Sequence, residues 1–329
     1  MEVHQTPDSS SINAEPVRHG GHGIFIGPGG LRAGWRLVLY VVLWFATAAI
    51  AGTIARLFGS QGVGKTPTQL TPSGLSFLEG ALLFYSVVAA WVMSKIEGRA
   101  FGQYGLPWKG AFGRDFWVGT GWGFLATSST VLTILAFGGA SIGGASIHGM
   151  TIITSFASWT LTFVLVGLSE EFTFRGYPLF TLTSGTRFWP SAILLSILFA
   201  LAHTGNAGEN IFGLVSVVLF GLLFCLFLRR TGNLWFAVGF HMGYDWGQTF
   251  FFGVPDSGLL PYHNLFSTVF HGARWLTGGS VGPEASVLTP IILLIVGVVF
   301  SLRYREVKYQ PASAGTKGQL GTSEAALTS

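Results

Sequence analysis

Long apolar runs recur along this sequence and leave few folds open to it. Eight runs approach the length of about 17–25 residues that a helix needs to cross a bilayer. They lie at about 35–57, 75–93, 116–137, 152–168, 188–203, 211–228, 234–252 and 287–302, and the helix of the fourth could continue to Phe180. The residues are 50% hydrophobic and only 10% charged, a balance that soluble globular domains do not show. The sequence predicts an all-α, polytopic membrane protein with about eight transmembrane helices that enclose an intramembrane cavity.

The basic residues predict how these helices are oriented. With the amino terminus in the cytoplasm, all but three of the 18 Lys and Arg fall in cytoplasmic segments. The three exceptions are Arg56, Lys65 and Arg274. Because cytoplasmic segments of membrane proteins are enriched in Lys and Arg, this asymmetry favours eight spans with both termini in the cytoplasm. The basic residues form no clustered stripe, so we expect no nucleic-acid partner.

The two ends of the chain differ in composition from its centre. Residues 1–31 and 307–329 are polar and contain Gly, Ser and Thr without apolar periodicity. Segments of this kind bury too little apolar surface to fold. We therefore predict two disordered tails on either side of a transmembrane domain at 32–306.

Ionisable side chains interrupt three of the apolar runs. They are Glu170, Glu171 and Arg175 at the end of the fourth run, His203 at the end of the fifth, and His241 and Asp245 in the seventh. An ionised side chain at the bilayer centre costs about 2.5–3.5 kcal/mol on insertion scales, so such residues mark functional sites. Each residue, taken alone, could instead have a purely structural role, in an ion pair at a helix end or in a hydrogen bond between helices. Their conjunction on three helices predicts a catalytic cavity.

Helical spacing assigns different partners to these residues. Positions i and i+4 share a helix face, so Glu171 faces Arg175 and gains an ion-pair partner. Glu170 has no such partner, and a free carboxyl in a cavity can act as general base and acid. His241 and Asp245 also stand four residues apart, so they could bind one metal or form a carboxylate-oriented histidine.

In order and spacing, these motifs resemble those of the CPBP family of intramembrane proteases. The family pattern is Glu-Glu-x-x-x-Arg, then Phe-x-x-x-His, then His-x-x-x-Asn/Asp, found here at 170–175, 199–203 and 241–245. The family includes type II CAAX prenyl endopeptidases and bacteriocin-processing or immunity (Abi-type) proteins. The resemblance predicts a CPBP-like core at about 152–302. Asp245 stands where the prenyl endopeptidases have Asn, which disfavours CAAX cleavage in particular.

The resemblance implies an intramembrane endopeptidase that hydrolyses a peptide bond in a membrane-associated or prenylated protein substrate. Carried over by position, Glu170 activates the water and His203 assists it. His241 and Asp245 bind a metal or stabilise the oxyanion, and the ion pair of Arg175 holds the helix end or contacts substrate. The resemblance also implies that the protein lies in a prokaryotic cytoplasmic membrane.

The residue types leave the use of a metal open. A catalytic zinc needs three protein ligands and an open position for water. Two histidines, His203 and His241, with Glu170 or Asp245, could supply them. A glutamate/histidine dyad with a polar oxyanion hole is chemically sufficient without a metal. We expect a metal-dependent enzyme, a metalloprotease with zinc or another divalent metal at these four residues.

Two functions other than proteolysis are compatible with the same residues. A proton-coupled transporter would also place acids and histidines at depth, but the sequence shows no internal repeat. A non-catalytic membrane scaffold or bacteriocin-immunity protein would keep the fold without needing activated water.

Two further features are expected near the outer surface. Glu79 in the second run and Glu209 before the sixth are predicted to be interfacial residues. The Gly-rich stretch at 255–284 is long for a loop without a role. It could be a re-entrant or capping element, but an ordinary surface loop is the interpretation we favour.

Overall fold

The described part of the chain is mostly helical. The computed structural model describes residues 23–27, 30–57 and 69–309. Its α-helices are α1 Ala33–Leu57, α2 Pro72–Glu97, α3 Arg114–Ala136, α4 Met150–Arg175, α5 Tyr177–Gly185, α6 Phe188–Ala202, α7 Ile211–Thr231, α8 Trp235–Trp246, α9 Arg274–Thr277 and α10 Leu288–Arg303. Each of the eight predicted runs contains a helix, and six helical segments are long and apolar enough to cross a membrane. The prediction of an all-α polytopic membrane protein is confirmed.

The seventh and eighth predicted spans are shorter as helices than a bilayer is thick. α8 has 12 residues and continues into a π-helical turn, Gly247–Phe252. α10 has 16 residues, which gives a helix of about 24 Å at 1.5 Å per residue. The hydrocarbon core is about 30 Å thick, so neither helix crosses it unaided.

The fourth helix does not continue unbroken to Phe180. α4 ends at Arg175, and α5 starts after Gly176. Pro178 explains the break, because its ring lacks an N–H and clashes with the carbonyl four residues earlier. Proline is well tolerated in the first turn of a new helix, where Pro178 lies. The break allows the chain to change direction directly after the charged motif.

Four glycines bring α3 and α8 into backbone contact. Gly119 and Gly123 on α3 face Gly239 and Gly243 on α8, each pair at a spacing of four. A Cβ at any of the four would lie within 2.2 Å of a carbonyl oxygen on the facing helix. Small residues at this spacing allow membrane helices to approach closely. The glycines therefore fix the position of α8, the helix that carries His241.

Gly123→Ala is expected to destabilise the protein by about 3 kcal/mol, the upper part of the range for overpacked cores. The new Cβ would lie 1.9 Å from the Phe240 carbonyl oxygen, so the two helices would have to separate. Thermal unfolding of the purified protein in detergent measures the effect. Gly121→Ala is the matched control, because no atom lies within 4 Å of a Cβ there, and alanine favours a helix by about 1 kcal/mol over glycine. Equal stability of the two variants would contradict the close contact.

Short strands organise loops at both ends of the helices. They are β1 Ile26–Gly27, β2 Gly30–Leu31, β3 Gln69–Leu70, β4 Ala140–Ala145, β5 Leu260–Pro261 and β6 Phe266–Phe270. β4 pairs antiparallel with β6, and β3 pairs parallel with β5. The stretch at 255–284 is therefore tied to the segments before α2 and after α3. Of the two alternatives, this structure favours a capping element over an ordinary surface loop.

The predicted disordered tails fall largely outside the described residues, which exclude 1–22, 28–29 and 310–329. Inside them, β1 pairs with β2 in the last part of the first predicted tail. At the other end, Tyr309 is buried and its hydroxyl lies 2.6 Å from the Thr183 hydroxyl. Ordered structure thus extends past both boundaries drawn from composition.

Candidate active site

Three acidic side chains surround the imidazole of His241. Its Nδ1 lies 3.1 Å from Glu171 Oε1. Its Nε2 lies 3.4 Å from Asp245 Oδ2 and 3.6 Å from Glu170 Oε2. An ionised carboxylate can only accept a hydrogen bond, so Nδ1 is the donor to Glu171. The ring is thereby oriented with Nε2 toward the two remaining carboxyl groups.

The ion pair between Glu171 and Arg175 lies in the interior of the protein. Arg175 Nη1 is 3.2 Å from Glu171 Oε1, and both side chains are 0% exposed. The guanidinium also contacts the rings of Phe199 and Phe224, at 4.2 and 5.4 Å from their centroids. One oxygen of Glu171 thus contacts both Arg175 and His241. Neither member of the pair can reach a substrate, so the pair holds the helix end and orients the histidine.

Glu170 faces a cavity of about 330 Å³. Its side chain is 20% exposed, and among the described residues its Oε2 has no hydrogen-bond partner. Phe224 lines the same cavity and stacks on His241, with ring centroids 5.1 Å apart. Glu170 is therefore the member of the acid pair that a water or substrate can reach.

His203 lines this cavity at a distance from the cluster around His241. It lies directly after α6, and its Nδ1 is 2.8 Å from the carbonyl oxygen of Phe199. A carbonyl accepts, so Nδ1 carries the proton and Nε2 is left as an acceptor. The Phe199 ring packs beside the imidazole, as the four-residue spacing predicts, with centroids 4.6 Å apart. The described residues show no hydrogen bond or ion pair between His203 and Glu170.

The four predicted metal ligands do not form one coordination site as they are placed. Glu170, His203, His241 and Asp245 all line the cavity, but a metal needs ligand atoms that converge on a point. Within the described ranges, the residues that converge in this way are Asp245, Asp256 and Glu284. Zinc at the predicted set stays a prediction that this geometry does not support.

Glu79 lies inside the protein, contrary to the prediction of an interfacial residue. Its side chain is only 5% exposed, and it lines the cavity with Ser169 and Glu170. α2 packs lengthwise against α4, so the acid is turned away from lipid. The apolar run around Glu79 correctly predicted a helix. A single acid in such a run does not indicate whether its side chain faces the lipid or the protein interior.

Two acids in the stretch at 255–284 also reach the cavity. Asp256 and Glu284 are the acidic residues of that stretch, and both are buried. Burial raises the pKa of Asp256 to about 6. Burial and then the charge of Asp256 raise the pKa of Glu284 to about 8. Sequence reasoning missed both, although two acids in a Gly-rich stretch with a single Arg or Lys, Arg274, are a usable signal.

The fold and the site define a class of protein. It is a polytopic helical membrane protein whose cavity carries a free glutamate beside a carboxylate-held histidine, the side chains of a hydrolase that activates water. Residues 152–247 match the family model described as "Type II CAAX prenyl endopeptidase Rce1-like". The resemblance to the CPBP family is confirmed over this segment, which runs from α4 to the end of α8, and it indicates a protease. The chain matches no curated protein significantly.

Proposed function

We propose that this protein is an intramembrane endopeptidase that hydrolyses a peptide bond of a membrane-associated or lipidated protein. The observation that carries the proposal is the carboxyl of Glu170, whose Oε2 makes no hydrogen bond among the described residues and lies 3.6 Å from Nε2 of His241. The other ring nitrogen of His241 is held by Glu171. An acid and an oriented imidazole at the wall of a membrane cavity suit peptide hydrolysis. The match of residues 152–247 supports the same reaction class.

Glu170 acts in this proposal as general base and then as general acid. It takes a proton from a water molecule, whose oxygen attacks the scissile carbonyl carbon. The proton then passes from Glu170 to the leaving amine as the C–N bond breaks. A positioned acid and base of this kind contributes about 10²–10⁴-fold to the rate.

His241 can supply the donor that the tetrahedral oxyanion needs. Nε2 of His241 can donate to an oxyanion when it carries a proton, and Asp245, four residues on, keeps that nitrogen directed into the cavity. His203 has a different role, because its free Nε2 can accept a hydrogen bond from the attacking water and so help Glu170 to position it. Loss of one oxyanion donor typically costs about 10²–10³-fold in rate.

The cavity wall suits a substrate segment that carries apolar groups. Side chains from several helices make much of it apolar, among them Leu75, Phe163, Phe174 and Phe220. Apolar pockets with a few polar groups are typical of ligand-binding sites. A prenylated or otherwise lipidated peptide fits this chemistry. Asp245, where the prenyl endopeptidases have Asn, favours a lipidated substrate other than a CAAX protein.

The resemblance to the CPBP family supports a location in a prokaryotic cytoplasmic membrane, and the basic residues support an orientation with both termini in the cytoplasm. All but three of the 18 Lys and Arg lie in segments that this orientation leaves inside, as the positive-inside rule requires. Six helical segments of the described residues are long and apolar enough to cross a membrane. Cysteine labelling from either side of the membrane tests the orientation.

A comparison of protein termini tests the proposal. Cells expressing either the wild type or Glu170→Gln at matched abundance are compared by mass spectrometry of membrane-protein termini. A terminus found only with the wild type identifies the substrate and the cleaved bond. Identical termini over several growth conditions would contradict the proposal, and a phenotype retained in Glu170 and His241 variants would favour a scaffold or immunity protein.

A further inference from the structure

Asp245, Asp256 and Glu284 form a second group of side chains beside the candidate active site. Each offers a carboxylate oxygen, and these oxygens lie within 4.8 Å of one another. The three come from different elements: α8, the segment after the π-helical turn, and the turn before α10. Their exposed fractions are 6, 7 and 8%. Asp256 and Glu284 belong to the stretch at 255–284, which we call the capping stretch. The group therefore joins the capping stretch to α8, the helix that carries His241.

The charges of this group are poorly balanced by side chains. Among the described residues, no Lys or Arg forms an ion pair with any of the three. His241 pairs with Asp245 at 3.4 Å. The other hydrogen-bond partners are neutral: the Thr249 hydroxyl donates to Asp256, and the Ser257 hydroxyl and the Gln248 amide donate to Glu284. Buried carboxyl groups are expensive to ionise unless they are paired or bind a metal, so a divalent cation is a partner that would let this group carry its charge.

A buried amide oxygen gives a second, independent sign of a ligand. Gln248 is 0% exposed, and its side-chain nitrogen donates to Glu284 Oε1 over 3.1 Å. The amide end of Gln248 therefore lies at the carboxylate group. Its Oε1 has no hydrogen-bond partner in the described part of the chain. A buried acceptor without a donor is rare and costs about 1–3 kcal/mol, and coordination to a cation would satisfy it.

We propose that Asp245, Asp256, Glu284 and the amide oxygen of Gln248 bind one hard divalent cation, with calcium the best fit. The donors are all oxygens, the atoms that calcium, magnesium and manganese prefer. Calcium–oxygen distances of about 2.3–2.6 Å allow opposite ligands to stand about 5 Å apart. The spread of the carboxylate oxygens falls inside that limit. Magnesium, at about 2.0–2.1 Å, would require the group to contract.

The cation would position Asp245 and the capping stretch and would stabilise the folded protein. By joining α8 to the residues around Glu284, it would hold the capping stretch in place and fix Asp245 beside His241. The site is separate from the base Glu170 and does not depend on the proposed proteolysis. The inactive variant Glu170→Gln should therefore bind the cation as the wild type does, which separates a failure of this proposal from a failure of the proposed function.

Direct binding to the purified full-length protein tests the proposal. The protein is treated with a chelator in detergent, exchanged into cation-free buffer at neutral pH, and titrated with calcium by calorimetry and with manganese by electron paramagnetic resonance. We expect one saturable site per chain and a higher unfolding temperature in calcium. Glu284→Gln should weaken binding at least tenfold and remove most of that rise, whereas Glu306→Gln, an exposed acid, should change neither.

Several results would overturn the proposal. Wild type without saturable calcium or manganese binding up to millimolar concentration would show that the carboxylates are balanced by protons and histidine alone. Unchanged affinity in Glu284→Gln would place the cation elsewhere. If Glu284→Gln fails to fold, Gln248→Leu replaces it, because that change removes the amide oxygen without altering the charge of the carboxylates. Undiminished affinity in Gln248→Leu would equally contradict the assignment.

Discussion

Glu170→Gln is expected to lower the rate of peptide cleavage at least 100-fold while leaving the protein folded. Glutamine keeps the shape of the side chain but cannot take a proton from water, and general base catalysis is worth about 10²–10⁴-fold. Glu170 makes no hydrogen bond through Oε2 and is partly exposed to the cavity, so the fold does not depend on its charge. The measurement is cleavage of an identified substrate by purified enzyme in proteoliposomes, beside thermal unfolding of each protein.

The control for this prediction is Glu306→Gln, which removes a carboxylate at an exposed position. It should retain both the cleavage rate and the unfolding temperature of the wild type. Cleavage by Glu170→Gln within tenfold of the wild-type rate would remove Glu170 as the base. Attention would then turn to Glu79, the other buried acid on that side of the cavity.

Glu171→Gln is expected to cost stability as well as activity. The change leaves Arg175 with a full charge in an interior where it is 0% exposed and has a single ion-pair partner among the described residues. Removing one partner of a buried pair typically costs about 3–5 kcal/mol. The same oxygen also holds Nδ1 of His241, so the remaining folded protein should cleave more slowly. Abundance in membranes and unfolding temperature in detergent measure the loss.

A second substitution tests whether the unpaired charge of Arg175 causes the loss of stability in Glu171→Gln. Adding Arg175→Met to Glu171→Gln removes the unpaired charge, and apolar replacements of buried ion pairs are often neutral or stabilising. The double variant should therefore recover much of the lost stability but not the activity. Normal abundance of Glu171→Gln together with lost cleavage would instead assign Glu171 to the chemistry.

Sequence reasoning reached the helices and much of the site because both rest on local patterns. An apolar run predicts a span wherever it lies, and the spacing of four residues predicts that Glu171 contacts Arg175 and that Phe199 packs on His203. Both contacts are present. The break at Gly176 was also within reach, since Pro178 two residues later carries a local signal.

The residues that were missed depend on contacts between distant parts of the chain. Glu79 is buried because α2 packs on α4, and nothing in its own run predicts that neighbour. Asp256 and Glu284 reach the cavity only because the stretch at 255–284 folds back and its β6 pairs with β4. The hydrogen bond of Glu171 to His241 joins residues 70 positions apart. Such pairings depend on how distant segments pack in three dimensions. A short segment of the sequence does not show which distant segment it will contact.

The backbone contact between α3 and α8 divides the cavity into a fixed wall and walls that can move. Carbonyl oxygens occupy the space of the missing Cβ atoms at all four glycines, so neither helix can slide or turn without a collision. If the protein is the proposed protease, we expect an entering substrate segment to displace other parts of the cavity wall, such as α2, α6 or the capping stretch, and to leave His241 where it is. Because α3 lies outside residues 152–247, the matched segment holds the reactive groups but not the support that keeps them still, and it would not be a minimal enzyme.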